Sequence, residues 1–371
     1  MKYYIIAGER SGDLHGSNLF KALKRHDEQA VGMGIGGDYM KDAGITLSIN
    51  YEELALIGFL EVIEKLGVIR SALKQVKKEL DEQKPDVLIL IDYAGFNMRV
   101  AKFAKEMGIR IFYYISPKIW AWNQGRAHKI KRLVDRMFVI LPFEKEFYKQ
   151  FDYEVDYVGN PVLDSIQDFT PNPTFTQDNK LDDKPIIAVL PGSRKNEIES
   201  TLYRMLSVLP AFPEHQFVVA AVGNHPAKYY EQFRRNGRVQ IVFDQTYDLL
   251  HKAELAIVTS GTATLETALM RVPQVVCYRV NSLSYLIAKM LIKIKFISLV
   301  NLIADRKVVT ELIQDDFTPA NVREEMHRIE MGAPGRVEIM QGYDEVKEKI
   351  GNAGASERAA ALMVGYLKGS N

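Results

Sequence analysis

Two periodicities alternate along the chain. Uninterrupted apolar runs, Tyr3 to Ala7, Val87 to Ile91, Ile109 to Ile115 and Met137 to Leu141, are separated by stretches whose apolar residues recur at helical spacing. After the first run, Leu14, Leu19, Phe20 and Leu23 fall on one helix face. A run without polar alternation suits a strand buried on both faces, the situation of a parallel sheet. Strands alternating with helices predict right-handed crossovers and a doubly wound α/β domain. The alternation restarts with Ile186 to Leu190, Phe217 to Val222, Leu255 to Thr259 and Gln274 to Tyr278. Between the two series the texture changes: 164–184 carries two prolines, many polar residues and few large apolar ones. The pattern therefore predicts a first Rossmann-like domain at 1–165, a linker at 166–184 and a second such domain at 185–350. The chain from about 320 to 371 is charged and helical, and within it 351–371 reads as a C-terminal helix whose return to the first domain the pattern leaves open. Two such sheets are expected to face a cleft at their carboxyl ends, where open α/β folds bind ligands.

Composition narrows the partners. With 48 Lys and Arg against 47 Asp and Glu among 371 residues, the net charge is +1 and nucleic acid is not expected. A single cysteine, Cys277, excludes an internal disulfide framework and a thiolate-rich zinc site, which suits a reducing compartment. No signal peptide is visible at Met1-Lys2, and no stretch reaches about 18 uncharged apolar residues. A soluble, cytoplasmic two-domain protein is the expectation at this point.

The candidate chemistry sits in loops after strands. Gly32-Met33-Gly34-Ile35-Gly36-Gly37 formally fits G-x-G-x-x-G, but the strand before it is reduced to Ala30-Val31 and Glu52 and Glu53 fall short of the expected acid. It is read as a glycine-rich turn. The segment Gly8-Glu9-Arg10-Ser11-Gly12-Asp13 lacks a P-loop lysine but lets a ligand approach the backbone. Glu9 and Asp13 bring two carboxylates there, with helix capping the competing role for Asp13. Asp92 ends the run Val87 to Ile91 at a sheet edge that faces ligands. Leu190-Pro191-Gly192-Ser193-Arg194 offers an arginine at a strand-to-helix turn, suited to phosphate or carboxylate. Ser260-Gly261-Thr262 opens a helix whose N–H groups form an anion site, with Glu266 one turn further in and able to accept ribose hydroxyls.

Two apolar stripes suit contact with lipid or with a core, and periodicity does not separate the two. One comprises Leu283, Leu286, Ile287, Met290, Leu291 and Ile294 with Lys289 and Lys293 beside it, and the other lies within 54–69. The seven histidines show no metal-ligand spacing, and no G-x-S-x-G elbow is present. No metal and no cofactor are expected.

Taken together, these segments resemble the lipid-A-disaccharide synthases, inverting glycosyltransferases of the two-Rossmann-domain (GT-B) type. The matching residues run in order along nearly the whole chain: Ala7 to Asp13, Gly34 to Gly37, Ser116-Pro117-Lys118-Ile119-Trp120-Ala121-Trp122, Leu141-Pro142-Phe143-Glu144, Leu190 to Arg194, Ser260 to Glu266, Tyr278-Arg279 and Glu311-Leu312-Ile313-Gln314. The resemblance implies transfer of 2,3-diacylglucosamine from its UDP ester to 2,3-diacylglucosamine 1-phosphate. The product would be a β-1,6-linked disaccharide, made without a metal at the cytoplasmic face of the inner membrane of a Gram-negative cell. A membrane surface is then a partner, and a homodimer is left open.

Such a displacement needs a base for the acceptor hydroxyl and positive charge or N–H donors for the departing diphosphate. Arg194 with Ser193, and the Ser260-Gly261-Thr262 helix start, are assigned to the diphosphate, and Glu266 to the ribose. Asn301, Gln314 and Arg279 match family positions in or near the donor pocket. Many relatives carry Asp-Ala-Pro-Asp-Phe-Asn where this chain has Asp92-Tyr93-Ala94-Gly95-Phe96-Asn97. Gly95 thus replaces a base candidate, and base duty falls to Asp92, Glu9 or Asp13. Asn160, in Val158-Gly159-Asn160-Pro161, stands where a histidine is more frequent. The competing readings are a UDP-N-acetylglucosamine 2-epimerase, another lipid-directed glycosyltransferase, and a nicotinamide-dependent oxidoreductase, the last disfavoured by the first strand-to-helix turn.

Overall fold

The computed structural model describes residues 1–51, 53, 62–223, 225–235, 237–280 and 295–369. The chain forms two compact units, Met1–Pro161 with Asn352–Asn371, and Val162–Gly351. Each is built on one parallel sheet.

In the first unit the strands are β1 (Lys2–Ala7), β2 (Val31–Gly36), β3 (Thr46–Asn50), β4 (Val87–Ile91), β5 (Arg110–Tyr114), β6 (Arg136–Val139) and β7 (Asp156–Tyr157). Their order is β3-β2-β1-β4-β5-β6-β7. All five residues of β4 are buried, as a strand covered by helices on both faces must be. In the second unit β8 (Ile186–Leu190), β9 (Gln216–Ala221), β10 (Val239–Phe243), β11 (Ala253–Thr259), β12 (Gln274–Tyr278) and β13 (Thr310–Ile313) are ordered β10-β9-β8-β11-β12-β13. In both sheets the order reverses once, between β1 and β4 and between β8 and β11. Connections on the two sides of such a point run to opposite faces, so their loops part at the carboxyl ends and leave a crevice.

The glycine run 32–37 is not a turn. Its first five residues belong to β2, which pairs with β1 and β3. The glycines answer to close packing. A Cβ on Gly34, whose φ is +143°, would lie 1.9 Å from the Ile5 carbonyl oxygen. One on Gly36 would meet the Met40 sulfur at 2.5 Å.

The segment 166–184 belongs to the second unit, where Phe175 is buried in the core with Ile186, Leu190 and Val218. Three helices form the tail, Pro319–Arg328, Pro334–Ile350 and Ala355–Lys368. The last belongs to the first unit: Ala359, Ala360, Met363 and Val364 share a core with Leu19, Phe20 and Leu23 of helix Arg10–His26. Arg358 Nε donates to the Val158 carbonyl at 2.8 Å. The apolar stripe 283–294, and the part of 54–69 before residue 62, lie outside the described residues. Among the described residues no helix is long and apolar enough to cross a membrane.

Candidate active site

The four loops singled out in the sequence all follow strands that flank the two reversal points. Each unit therefore carries one half of the candidate machinery.

In the first unit, β1 ends at Ala7, and helix Arg10–His26 begins after Gly8 and Glu9. Glu9 is exposed at the N-cap and accepts from Ser11 Oγ at 2.9 Å. Asp13 is placed differently. At 1% exposure, its carboxylate accepts from the N–H groups of Gly37, Tyr39 and Met40 at 2.7, 3.1 and 3.0 Å. These are orphan donors at the start of helix Asp38–Asp42, so Asp13 caps a neighbouring helix from outside it.

Asp92 follows β4 in the left-handed region, φ +43°, with Tyr93 in the same region at φ +41°. Two consecutive non-glycine residues there cost about 1 kcal/mol or more each, and such strain concentrates at functional turns. The turn is held by its carbonyl. Asp92 O accepts from Asn97 Nδ2 at 2.8 Å and from the Tyr113 hydroxyl. Burial, and then the nearby Asp92 charge, push the Tyr113 phenol well above its ordinary pKa, so it remains a donor. The Tyr93 ring lies where a Cβ on Gly8 would be, 2.3 Å from its nearest atom, so Gly8 permits the two loops to close on each other. Gly95 is exposed at the second position of helix Ala94–Glu106, with open space around its missing side chain.

The signature Ser116 to Trp122 is anchored from within the same unit. Trp120 Nε1 donates to Glu144 Oε1 at 3.2 Å, and Glu144 Oε2 accepts from the N–H groups of Ile140 and Leu141 at 3.2 and 3.0 Å. Burial raises the Glu144 carboxyl to about 7 despite these donors. Asn160 is buried and donates to the Ile140 carbonyl at 3.2 Å, a backbone-holding role.

In the second unit, Arg194 is the N-cap of helix Lys195–Met205. Its side chain is 75% exposed and reaches Glu197 Oε1 at 3.3 Å, an ion pair of little energetic weight. Glu197 also accepts the Arg194 backbone N–H at 3.2 Å, which aims the turn. Gly192 has φ +93°, and its Cβ would collide with the Glu197 carboxylate. The Ser193 carbonyl pairs with His225 Nε2 at 3.2 Å.

Across the β8/β11 reversal point, Ser260 and Gly261 lead into helix Thr262–Leu269. Thr262 is exposed, and Ser260 Oγ donates to the Ile297 carbonyl at 2.8 Å. Glu266 accepts from the Tyr247 hydroxyl at 3.0 Å, and desolvation raises its carboxyl pKa.

Asn301 and Gln314 have their side chains committed to the framework. Asn301 Oδ1 accepts from Val308 and Val309 N–H, and its Nδ2 donates to the Val309 carbonyl and Glu311. Gln314 pairs with both backbone groups of Val280, at 3.0 and 3.1 Å. Arg279 Nη1 donates to the Gln314 carbonyl at 3.3 Å, and the Arg279 carbonyl accepts from Ser200 Oγ at 3.0 Å. Glu197 and Tyr113 were not singled out from the sequence, and Glu311 entered only as part of a matching segment, without a role. Glu197 could have been, since an acid three residues after an N-cap is a capping signal. Among the described residues no group of three His, Cys, Asp or Glu side chains is placed to hold a metal.

Two Rossmann-like units of this kind make the fold shared by one class of solved structures, the two-domain glycosyltransferases and sugar-nucleotide epimerases. The UDP-GlcNAc 2-epimerase of Neisseria meningitidis aligns with TM-score 0.65 at 13% identity, covering 100% of both chains. The calicheamicin glycosyltransferase CalG4 aligns with TM-score 0.60 at 16% identity, covering 100% of this chain and 98% of that one. The sequence decides within the class. Residues 3–362 match the family model described as lipid-A-disaccharide synthetase. The lipid-A-disaccharide synthase of Syntrophus aciditrophicus is 40% identical over 381 residues, covering 99% of this chain and 98% of that protein. The chain belongs to the lipid-A-disaccharide synthase family and is a glycosyltransferase. The epimerase is a distant neighbour in fold.

Proposed function

We propose that the protein transfers 2,3-diacylglucosamine from UDP-2,3-diacylglucosamine to the 6-hydroxyl of 2,3-diacylglucosamine 1-phosphate, with inversion and without a metal. The observation that carries the reading is the distribution of chemistry over the two units. Carboxylates gather at the β1/β4 reversal, while an exposed arginine and a helix start gather at β8/β11. A base in the first set removes the acceptor hydroxyl proton. The oxygen then attacks the anomeric carbon opposite the diphosphate, and the bond to UDP breaks with its electron pair passing to the β-phosphate oxygen.

Asp92 is the preferred base. It sits in a strained turn at the carboxyl end of β4, fixed through its carbonyl by Asn97 and Tyr113 and closed against the Gly8 turn. Glu9, exposed at a helix start, is the second candidate. Asp13, with three backbone donors around it, acts on the loop and not on the substrate. Arg194 and the N–H groups at the start of helix Thr262–Leu269 receive the diphosphate, where the helix dipole favours negative charge. Glu266, its pKa raised by burial, accepts from the ribose hydroxyls, with Tyr247 orienting it. The protein works as a peripheral enzyme on the cytoplasmic face of the inner membrane, since both substrates carry acyl chains.

Arg194→Ala tests the assignment. Because the side chain is mostly exposed, the fold should be kept while kcat falls by about two orders of magnitude or more. A rate within threefold of wild type would overturn it.

A further inference from the structure

Glu311, on β13, has a set of partners that the proposed chemistry does not use. Its Oε2 accepts from Ile297 N–H at 2.9 Å. Its Oε1 accepts from Ser298 N–H at 2.9 Å, Ser298 Oγ at 2.7 Å and Asn301 Nδ2 at 2.9 Å. Ser298 and Asn301 are buried while Glu311 and Ile297 are half-buried, and a buried donor left without its partner is costly. Four donors on one carboxylate fix the backbone of 297–301 against the sheet.

That backbone in turn grips the turn ahead of helix Thr262–Leu269 at two points. Ser260 Oγ donates to the Ile297 carbonyl at 2.8 Å. Leu299 N–H donates to Thr264 Oγ1 at 3.3 Å, and the same hydroxyl donates to the Gly261 carbonyl at 2.8 Å. A serine whose proton is directed to Ile297 presents lone pairs elsewhere, and lone pairs do not attract a diphosphate. We infer that Glu311 is a positioning residue for the diphosphate subsite: through 297–301 it fixes Ser260 and Gly261, so that the backbone N–H groups at the helix start, and not the Ser260 hydroxyl, receive the leaving group. The inference rests on the reading above that the diphosphate binds at this helix start.

The test is calorimetric titration of the full-length protein with UDP, for wild type, Glu311→Gln, Ser260→Ala and the double variant, with Arg194→Ala alongside. Both single variants break one tether, so each should weaken UDP binding ~10-fold and the double variant by no more than ~20-fold, the non-additivity of residues acting through one link. The KM for the lipid acceptor should stay within about twofold, because uniform binding of the other substrate is untouched. Should Glu311→Gln fail to fold, Ser298→Ala replaces it. That change removes one of the four donors, and UDP binding should weaken ~3-fold, again without adding to Ser260→Ala.

Multiplicative losses approaching ~100-fold in the double variant would mean independent contacts and would overturn the inference. So would an unchanged UDP affinity in Glu311→Gln, or in Ser298→Ala where that is the variant used. If Arg194→Ala weakens UDP while these do not, the inference alone fails. If none of the variants weakens UDP, the assignment of the diphosphate to this unit fails with it.

Discussion

At the residue scale, the carboxylates of Asp92 and Asp13 have different surroundings, and the differences assign them different failures. Asp92→Asn should leave the thermal midpoint near wild type and lower kcat by about two to four orders of magnitude, the usual cost of losing a general base. Asp13→Asn should do the reverse. An amide nitrogen facing the Gly37, Tyr39 and Met40 donors loses bonds that cannot be replaced by water, at a cost of about 1–3 kcal/mol. Stability and initial rates of the two variants, measured side by side, separate the roles; a catalytic collapse in a stable Asp13→Asn would reverse them.

Glu144 gives a pH dependence with a definite sign. Burial raises its carboxyl from 4.5 to about 7 in the folded chain. The folded state therefore holds this proton more tightly than the unfolded one. The contribution to stability is complete below pH 4.5 and is lost as pH rises through about 7. Urea unfolding of the wild type should lose up to about 3 kcal/mol over that window relative to Glu144→Gln, whose amide does not titrate. Profiles that instead run parallel for the two proteins would contradict the raised pKa.

At the element scale, the buried strands were legible because continuous apolar runs such as Val87 to Ile91 have no other stable place. β2 was not, since Gly32, Gly34 and Gly36 remove the hydrophobic signal while meeting a steric demand of packing. Gly34→Ala puts a methyl group into the Ile5 carbonyl and should cost more than about 3 kcal/mol or prevent folding. Expression and thermal melting check this. Gly95 is the opposite case. The space beside it is open and its place in the first turn of a helix favours an acid. Gly95→Asp should change stability by less than about 1 kcal/mol. Where base duty is shared, it should also raise the rate at neutral pH. The functional loops were legible as loops after strands. The resemblance gives Asn301 and Gln314 as positions in or near the donor pocket but carries no hydrogen bonds; here Asn301 bonds the backbone of Val308 and Val309 and the Glu311 carboxylate, and Gln314 the backbone of Val280.

At the scale of the whole molecule, the two units are assembled from unequal lengths of chain. Helix Ala355–Lys368 contributes core side chains to the first unit from the far end of the sequence, and Glu357 adds pairs to Arg25 and His26 that lower its pKa. A helical pattern in a tail gives no information about which sheet it covers, so this connection was invisible to periodicity. Removing 352–371 should destabilise the first unit and leave the second, which proteolysis followed by fragment mapping would display. The family match over residues 3–362 spans both units.

The central claim is that this chain joins two acylated glucosamine units without a metal. The most direct measurement incubates radiolabelled 2,3-diacylglucosamine 1-phosphate with UDP-2,3-diacylglucosamine, detergent and EDTA, and resolves the products by thin-layer chromatography. A labelled disaccharide 1-phosphate that forms at the same rate with and without EDTA is the predicted result. No disaccharide under either condition, with UDP-N-acetylglucosamine consumed in a parallel tube, would contradict it.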